Sequence, residues 1–513
     1  MRGIETRIQY IRHQIFTEVA RMAYQGEIPV SEQIEKLPYK IVPGDVANFR
    51  TDVFLERAIA GERYRLAMGL PCRGASEQAP ISEGIEAADR PETYYTPPLI
   101  NVIKFACNAC PEKRVIVTEG CMGCLAHPCV EVCPKGAVHL DRKMGRSIID
   151  QDKCVKCGRC ATACSYNAII IQERPCAAAC GMDAIRSDEQ GKADIDYDKC
   201  VSCGMCLVNC PFGAISDKSQ IFQVIRGIQT GEKIYAAVAP AFVGQFGPKV
   251  TAGKLRAAFK QLGFADVIEV AIGADLCAVQ EAEDFMDNVP ENLPFMATSC
   301  CPAWAMMAKK AFPDYAHCVS MALTPMTLTA RLIKHTRPGA KVVFIGPCAA
   351  KKLEAMDDSV RSEVDFVLTF EEMAGIFAAR DIDLNQIEEL PGGVNDSSTD
   401  GRAFAVAGGV AHAVVDVIKE KYPEKEMKIA SAEGLKDCRR LMAMAKAGKY
   451  PGYLLEGMAC PGGCVAGAGT IQPIQKSQSA VKSYAAKASH VTADQTEYVQ
   501  ELEHLVDQVE EKE

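Results

Sequence analysis

Hydrophobic positions open the chain at helical spacing. Ile4, Ile8, Ile11, Ile15, Val19 and Met22 recur every three or four residues, which predicts an amphipathic helix over residues 4–24. The stretch onward to about residue 95 reads as mainly helical and carries no recognisable chemistry. Prolines 71, 80, 91, 97 and 98 mark its end. Residues 100–217 have short apolar runs broken by turn residues. From Lys233 the pattern changes again: KIYAAVAP, FADVIEVAIGADL, KVVFIGPC and RAFAVAGGV read as apolar strands, each running into a helical pattern. That alternation predicts an α/β domain ending near residue 470. Residues 480–513 are polar and acidic and predict a solvated surface helix. The expected organisation is a helical region at 1–98, a turn-rich region at 99–217, an α/β domain at 218–470 and a polar helical tail at 471–513.

Composition narrows the class. Of 513 residues, 48% are apolar and 24% charged, and the net charge of −9 argues against a nucleic-acid partner. No apolar run reaches the length of a membrane helix. The first residues show no signal-peptide core, and Glu5 and Glu18 fit a transit peptide poorly. A soluble cytoplasmic protein without a membrane or nucleic-acid partner is expected. Cysteine is the outlying residue: 25 in all, with 16 between Cys107 and Cys210. In a large intracellular chain this density points to metal ligation and not to disulfides. An anaerobic host fits so many thiolates.

The spacing is specific. CVKCGRCATAC places Cys154, Cys157, Cys160 and Cys164 in the C-x2-C-x2-C-x3-C pattern of bacterial 4Fe–4S ferredoxins. Cys200, Cys203, Cys206 and Cys210 repeat it, and Cys121, Cys124, Cys129 and Cys133 form a copy with two extra residues. A zinc site would want isolated CxxC pairs. In this fold the first three cysteines hold one cluster and the fourth reaches the neighbouring one. That rule gives one cluster on Cys121, Cys124, Cys129 and Cys164, and a second on Cys154, Cys157, Cys160 and Cys133. A third falls on Cys200, Cys203, Cys206 and Cys180. Cys176 and Cys210 are then left over, as are Cys107 and Cys110 in FACNACP. Either these four hold a fourth cluster, or there are three clusters and stray thiols. Cys72 is expected to be structural. Between Lys135 and Arg159, seven basic residues (Lys135, Arg142, Lys143, Arg146, Lys153, Lys156, Arg159) face three aspartates. An acidic ferredoxin-type carrier could dock there, or the segment is a solvated loop.

Further cysteines lie where an α/β sheet would place ligands. Cys300 and Cys301 sit in TSCCPAW, Cys348 in GPCAAKKLEA, and Cys460 and Cys464 in EGMACPGGCVAGAG. Each group follows an apolar strand and opens a helix, whose N-terminus should lower thiolate pKa. Cys277, Cys318 and Cys438 read as buried small apolar residues. Gly408 and Gly409 read either as neighbours of the site or as a turn.

These three segments resemble the signature motifs of the FeFe (iron-only) hydrogenases, over roughly residues 230–470. The extra CxxC ahead of the ferredoxin-like region resembles the monomeric group B branch. The resemblance implies an α/β catalytic domain of two lobes around a buried metal site, preceded by ferredoxin-like α+β 4Fe–4S domains and a helical N-terminal segment. It implies an H-cluster: a 4Fe–4S cube on Cys301, Cys348, Cys460 and Cys464, with Cys464 bridging to a diiron subcluster carrying carbonyl, cyanide and azadithiolate ligands. Three to four accessory 4Fe–4S clusters would supply electrons. Lys351 matches a lysine that hydrogen-bonds a cyanide, Met458 a methionine packed over the subcluster, and Ala239 and Pro240 a strand end lining the pocket. Cys300 matches the thiol that passes protons to the bridging amine, with Glu281, Ser320 and Asp284 as the onward route. The implied reaction is reversible formation of H2 from protons and electrons, with a ferredoxin-type carrier and dedicated hydrogenase maturases as partners. Gly346 stands where the best-known members carry methionine, Ala468 replaces a glycine, and Asp284 is shorter than the usual glutamate. Two other functions compete, an H2 sensor and a related iron–sulfur assembly factor. Cys300 counts against the second, and no PAS or kinase-linked module supports the first.

Overall fold

The computed structural model describes the chain apart from residues 1–4, 27–28, 75, 77, 89–95, 358–362, 391–395 and 507–513. Ile4, Pro91 and the end of the acidic tail therefore lie outside the described residues. The first helix is Arg7–Tyr24, and Thr6 and Gln9 close a reciprocal capping box at its start. Its apolar face buries Ile15, Phe16, Val19 and Met22 against the helix Phe370–Ala379. Gly375 permits the approach, because a Cβ there would meet the Phe16 Cβ at 2.6 Å. Helices Val30–Ile41 and Val53–Ala67 complete the N-terminal group. These helices share one apolar core with the α/β domain.

A buried ion network joins the same parts. Arg12 pairs with Asp217 at 3.4 Å and Glu371 at 2.9 Å, while Lys352, with no exposure at all, pairs with Asp217 at 2.8 Å and Glu372 at 2.9 Å.

Residues 100–217 form two ferredoxin-like modules, one inserted into the other. In the contiguous module, Arg114–Val117 pairs antiparallel with Ile169–Gln172, around the hairpin of Val138–Asp141 and Arg146–Ile149. In the interrupted module, Ile100–Val102 pairs antiparallel with Ile215–Asp217, around the hairpin of Ile185–Ser187 and Ala193–Ile195. The contiguous module thus enters the second one between Cys110 and Cys176. The half-motif PCAAAC finds its missing first half in Cys107 and Cys110, carried by the chain just before the insertion.

The α/β domain has two parallel sheets. Asp266–Glu269, Ile234–Val238, Lys341–Gly346 and Phe366–Thr369 form one, in that spatial order; Met296–Ala297, Tyr453–Met458 and Lys428–Glu433 form the other. Two expectations fail. RAFAVAGGV is not a strand: Ser398 caps the helix Thr399–Ala403, and Gly408 (φ +89°) leads into the helix Gly409–Lys421. This segment packs on the helix Ala271–Asn288 so closely that a Cβ at Gly401 would meet Asp275 Oδ1 at 2.2 Å. Nor is the C-terminal segment a solvated helix. Val481, Ala493 and Leu505 are fully buried and Leu502 is nearly so, because sparse apolar residues among polar ones suffice to dock short helical turns on the domain.

Candidate active site

Three chain segments converge on one cavity. Cys300 and Cys301 follow the strand Met296–Ala297, and Cys301 caps the helix Pro302–Ala311. Cys348 lies between the strand Lys341–Gly346 and the helix Ala350–Glu354. Cys460 and Cys464 follow the strand Tyr453–Met458, but Cys464 opens only the 3-10 turn Cys464–Ala466, so the expected third helix start is absent there. All five cysteines line the cavity, together with Lys351, Met458, Ala239 and Pro240. Sequence reasoning missed its apolar wall, which includes Val270, Met326, Phe344 and Phe404. Val270, Phe344 and Phe404 lie in runs read as apolar strands and Met326 lies close after Ser320, but nothing in those runs signals which side chains face a cavity.

Burial decides the thiol electrostatics. Desolvation pushes Cys348 up to about 11 and Cys464 up to about 12, and raises Cys300, Cys301 and Cys460 as well. The expected lowering by helix N-termini is overridden, although backbone N–H groups of Ala459, Trp304 and Ala303 do pull Cys301 down in part. Such thiols become thiolates only when a cation binds them. Among the described residues no three ligating side chains close on one point as a single ion requires. Cys301, Cys348, Cys460 and Cys464 instead ring a cavity, a donor set that fits a polynuclear iron–sulfur group.

The polar surroundings are sparse and paired. Lys351 Nζ lies 2.7 Å from Glu354 Oε2 and donates to Thr324 Oγ1 at 3.1 Å. Glu281 is fully buried, and its carboxyl is pushed up to about 7 by desolvation. Its Oε1 accepts from the Ser299 N–H at 2.6 Å and lies 2.9 Å from the Ser299 hydroxyl, while Oε2 is buried without a hydrogen-bond partner. Ser320 stands beside Asp284, whose carboxyl burial also raises. Ser299, which the sequence reading passed over, is thus the serine bonded to Glu281. It precedes Cys300 directly, and that adjacency was the available signal.

Two of the three departures, Gly346 and Ala468, have local causes. A Cβ on Gly346 would meet the Phe344 ring at 2.5 Å, so the Phe344 ring closes that wall. Ala468 fills the space left by Gly204, at φ +78°, where a Cβ would meet the Ala468 Cβ at 2.5 Å. Gly408 donates its N–H to Glu456 at 3.0 Å and does not line the cavity, so it serves a turn. Cys277, Cys318 and Cys438 are buried, and Cys72 is pushed up to about 12 by burial.

The remaining cysteines gather in quartets. Cys107, Cys110, Cys176 and Cys210 line one pocket. Cys180, Cys200 and Cys203 lie close enough to Cys206 for their charges to raise it, and Cys203 also lines the large cavity. Cys160 feels Cys154 and Cys133 in the same way. Ser147 joins Cys121 and Cys129: its N–H donates to Cys121 Sγ at 3.5 Å, and its hydroxyl lies 3.4 Å from Cys129 Sγ. Cys164 packs in the same small core as Cys129, whereas Cys157 is exposed. The first CxxC of each of the four cysteine runs begins with the same turn. The residue two after its first cysteine is left-handed, at Ala109, Gly123, Lys156 and Ser202. Backbone N–H groups donate to Cys107, Cys133, Cys154, Cys180, Cys200 and Cys210 at 3.2–3.4 Å.

Residues 232–468 match the iron only hydrogenase large subunit, C-terminal domain, and residues 120–168 and 193–216 match a 4Fe–4S dicluster domain and a 4Fe–4S binding domain. Residues 232–468 thus carry an iron only hydrogenase large-subunit domain. The chain is 28% identical to iron hydrogenase 1 of Clostridium pasteurianum over 381 residues, 64% of this chain and 66% of that one. It is 30% identical to the periplasmic [Fe] hydrogenase large subunit of Nitratidesulfovibrio vulgaris over 271 residues, 44% of this chain and 63% of that one. A cytosolic Fe–S cluster assembly factor of Danio rerio is 25% identical over 279 residues, 44% of this chain and 68% of that protein. The chain spans about two thirds of the length of these relatives. Among the described residues no helix is long and apolar enough to cross a membrane.

Proposed function

We propose that this protein is a hydrogenase that interconverts protons, electrons and H2, and not an assembly factor. The observation that carries this reading is Cys300. Its thiol shares the cavity with Cys301, Cys348, Cys460 and Cys464, and the buried Glu281 stands beside it. A scaffold for a plain cluster needs four ligands; a fifth thiol backed by an acid near neutrality is what proton delivery needs. When bound on these ligands, the H-cluster supplies the redox chemistry of hydrogen, and the accessory 4Fe–4S clusters supply one-electron carriage. The protein's share is the rest. Lys351, held by Glu354 and Thr324, places a cation on the cavity wall. Met458, Met326, Phe344 and Phe404 exclude water.

The proposed proton route runs from Asp284 and Ser320 at its outer end, by way of Glu281, to Cys300 Sγ, with Ser299 holding Glu281 Oε1 so that Oε2 is free to move the proton. Glu281 at about 7 is near even protonation at neutral pH, which suits transfer in both directions.

The same reading puts four accessory clusters on the four quartets. The shared left-handed turn at Ala109 supports counting Cys107 and Cys110 among the ligands, as the group B resemblance implies. The basic segment 135–159 would receive an acidic ferredoxin-type carrier, and dedicated maturases would install the diiron part. The test is hydrogen turnover by the matured protein with a reduced ferredoxin-type donor. Cys300→Ala should retain iron while turnover drops on the order of 10²–10⁴-fold. Glu281→Gln should behave alike, because an amide cannot pass the proton on. Wild-type turnover in Cys300→Ala would overturn the route.

A further inference from the structure

The quartet Cys107, Cys110, Cys176 and Cys210 is surrounded by arginines that have no carboxylate partner. Arg50 donates from Nη2 to Ala106 O at 3.0 Å and Phe212 O at 3.1 Å, tying the loop that carries Cys107 to the loop that carries Cys210. Arg63 donates from Nη2 to Gly213 O at 2.6 Å on that second loop. On the opposite side, Arg174 donates from Nη2 to Cys110 O at 2.7 Å, Ser187 Oγ at 2.6 Å and Gly191 O at 3.0 Å. Arg63 and Arg174 are 7% and 3% exposed, and the Nε of each is buried without a partner. Among the described residues, none of the three forms an ion pair, whereas Arg12 nearby has two.

An uncompensated buried cation is costly; Arg174 lines the quartet's own pocket, while Arg50 and Arg63 line the neighbouring cavity and hold the loop of Cys210 from there, so negative charge on the quartet would compensate them. The other quartets lack this arrangement. Beside Cys121, Arg146 is paired with Glu119 at 2.8 Å, and Lys310 beside Cys200 is exposed to water.

We propose that Arg50, Arg63 and Arg174 make this quartet's cluster the accessory cluster of highest reduction potential, an electron store that fills first. This rests on the reading that the quartet holds a 4Fe–4S cluster. With four thiolates such a cluster is a dianion when oxidised and a trianion after accepting one electron from a ferredoxin-type donor; no proton is required. Fixed positive charge in a dry pocket stabilises the trianion more than the dianion, which raises the potential. Arg50 and Arg63 come from the N-terminal helical region, so that region acquires a redox role.

The experiment is an electron paramagnetic resonance titration of the full-length matured protein, poised with mediators. The signal missing from the Cys107→Ser, Cys110→Ser double variant identifies the cluster, and it should be the first to appear on reduction. Arg63→Gln and Arg174→Gln should retain iron and lower the reduced-to-oxidised ratio of that signal about tenfold at fixed poise, about 59 mV for one electron, leaving the other signals in place. Arg63→Lys, which keeps the charge, should restore most of the shift. If a glutamine variant loses iron, the half-buried Arg50→Gln gives the reading, with a smaller shift in the same direction. An unmoved midpoint in iron-replete variants, or a signal that appears last, overturns the proposal. Unchanged iron and spectra in the double cysteine variant would instead overturn the four-cluster reading beneath it.

Discussion

The two ferredoxin-like modules use the same turns and the same sulfur-directed N–H groups, yet they sit in different surroundings. The contiguous module, from Arg114 to Gln172, lies outermost in its electrostatics: Cys157 is exposed, and its basic residues find carboxylates at the surface, as Arg146 does with Glu119. The interrupted module, from Ile100 to Val102 and again from Pro175 to Asp217, is wedged between the N-terminal helices and the hydrogenase domain. Its last strand ends in Asp217, which is buried between Arg12 and Lys352. Its Gly204 touches Ala468 of the last hydrogenase motif, and its Cys203 opens onto the active-site cavity. Identical ligand geometry thus sits in two settings, one open at the surface and one that forms a rigid joint to the cavity.

Disrupting the joint should cost most. Lys352→Ala leaves buried Glu372 without its cation and Asp217 with Arg12 alone, and unfolding experiments should show a loss of about 3–5 kcal/mol. The matched change in the outer module, Arg146→Ala, removes a pair whose glutamate is 92% exposed and should cost at most about 1 kcal/mol. Equal losses would mean that the two modules are held alike.

A glycine pair sharpens the comparison at the next scale. Gly158 and Gly204 occupy equivalent turns at φ +79° and +78°. Gly158→Ala should cost about 1–2 kcal/mol of backbone strain. In Gly204→Ala the new Cβ also collides with Ala468, so a further 1–3 kcal/mol or so is expected. The double variant Gly204→Ala, Ala468→Gly should recover that excess.

Acid should separate the modules by the smallest margin. Burial pushes the Asp217 carboxyl up, but Lys352 and then Arg12 outweigh it and hold the group below its ordinary value. A depressed carboxyl stabilises the fold above its unfolded pKa of about 3.9, and that stability is lost as pH falls through the folded value. Thermal melts should therefore show that Asp217→Asn loses stability at neutral pH and converges on the parent protein below about pH 4. Asp150 in the outer module is also depressed: desolvation pushes it up, but backbone N–H groups and Lys153 together outweigh that; its partner Lys153 stands in solvent, so Asp150→Asn should change the melts little.

The same contrast explains what was legible in the sequence. Contiguous motifs announce themselves, so Cys154, Cys157, Cys160 and Cys164 were read at once, as was the α/β alternation from Lys233. Cys107 and Cys110 could be attached to Cys176 only by elimination, because an inserted module hides the spacing that fixes them. RAFAVAGGV looked like a strand because small apolar residues suit both a buried strand and tight helix packing, and only Gly401 against Asp275 decides between them. The strand Phe366–Thr369 was not read, and the wall residues Val270, Phe344 and Phe404 lay in apolar runs that gave no sign of facing a cavity. Ser299 went unnoticed because its role depends on a carboxyl eighteen residues away.

The most direct test of the account is infrared spectroscopy of the full-length protein after maturation. The reading of Cys301, Cys348, Cys460 and Cys464 as the ligands of an H-cluster predicts carbonyl and cyanide bands, retained in Cys300→Ala and absent in Cys301→Ala. A protein that carries its 4Fe–4S clusters through maturation and shows no such bands would contradict the hydrogenase assignment and favour the assembly-factor reading.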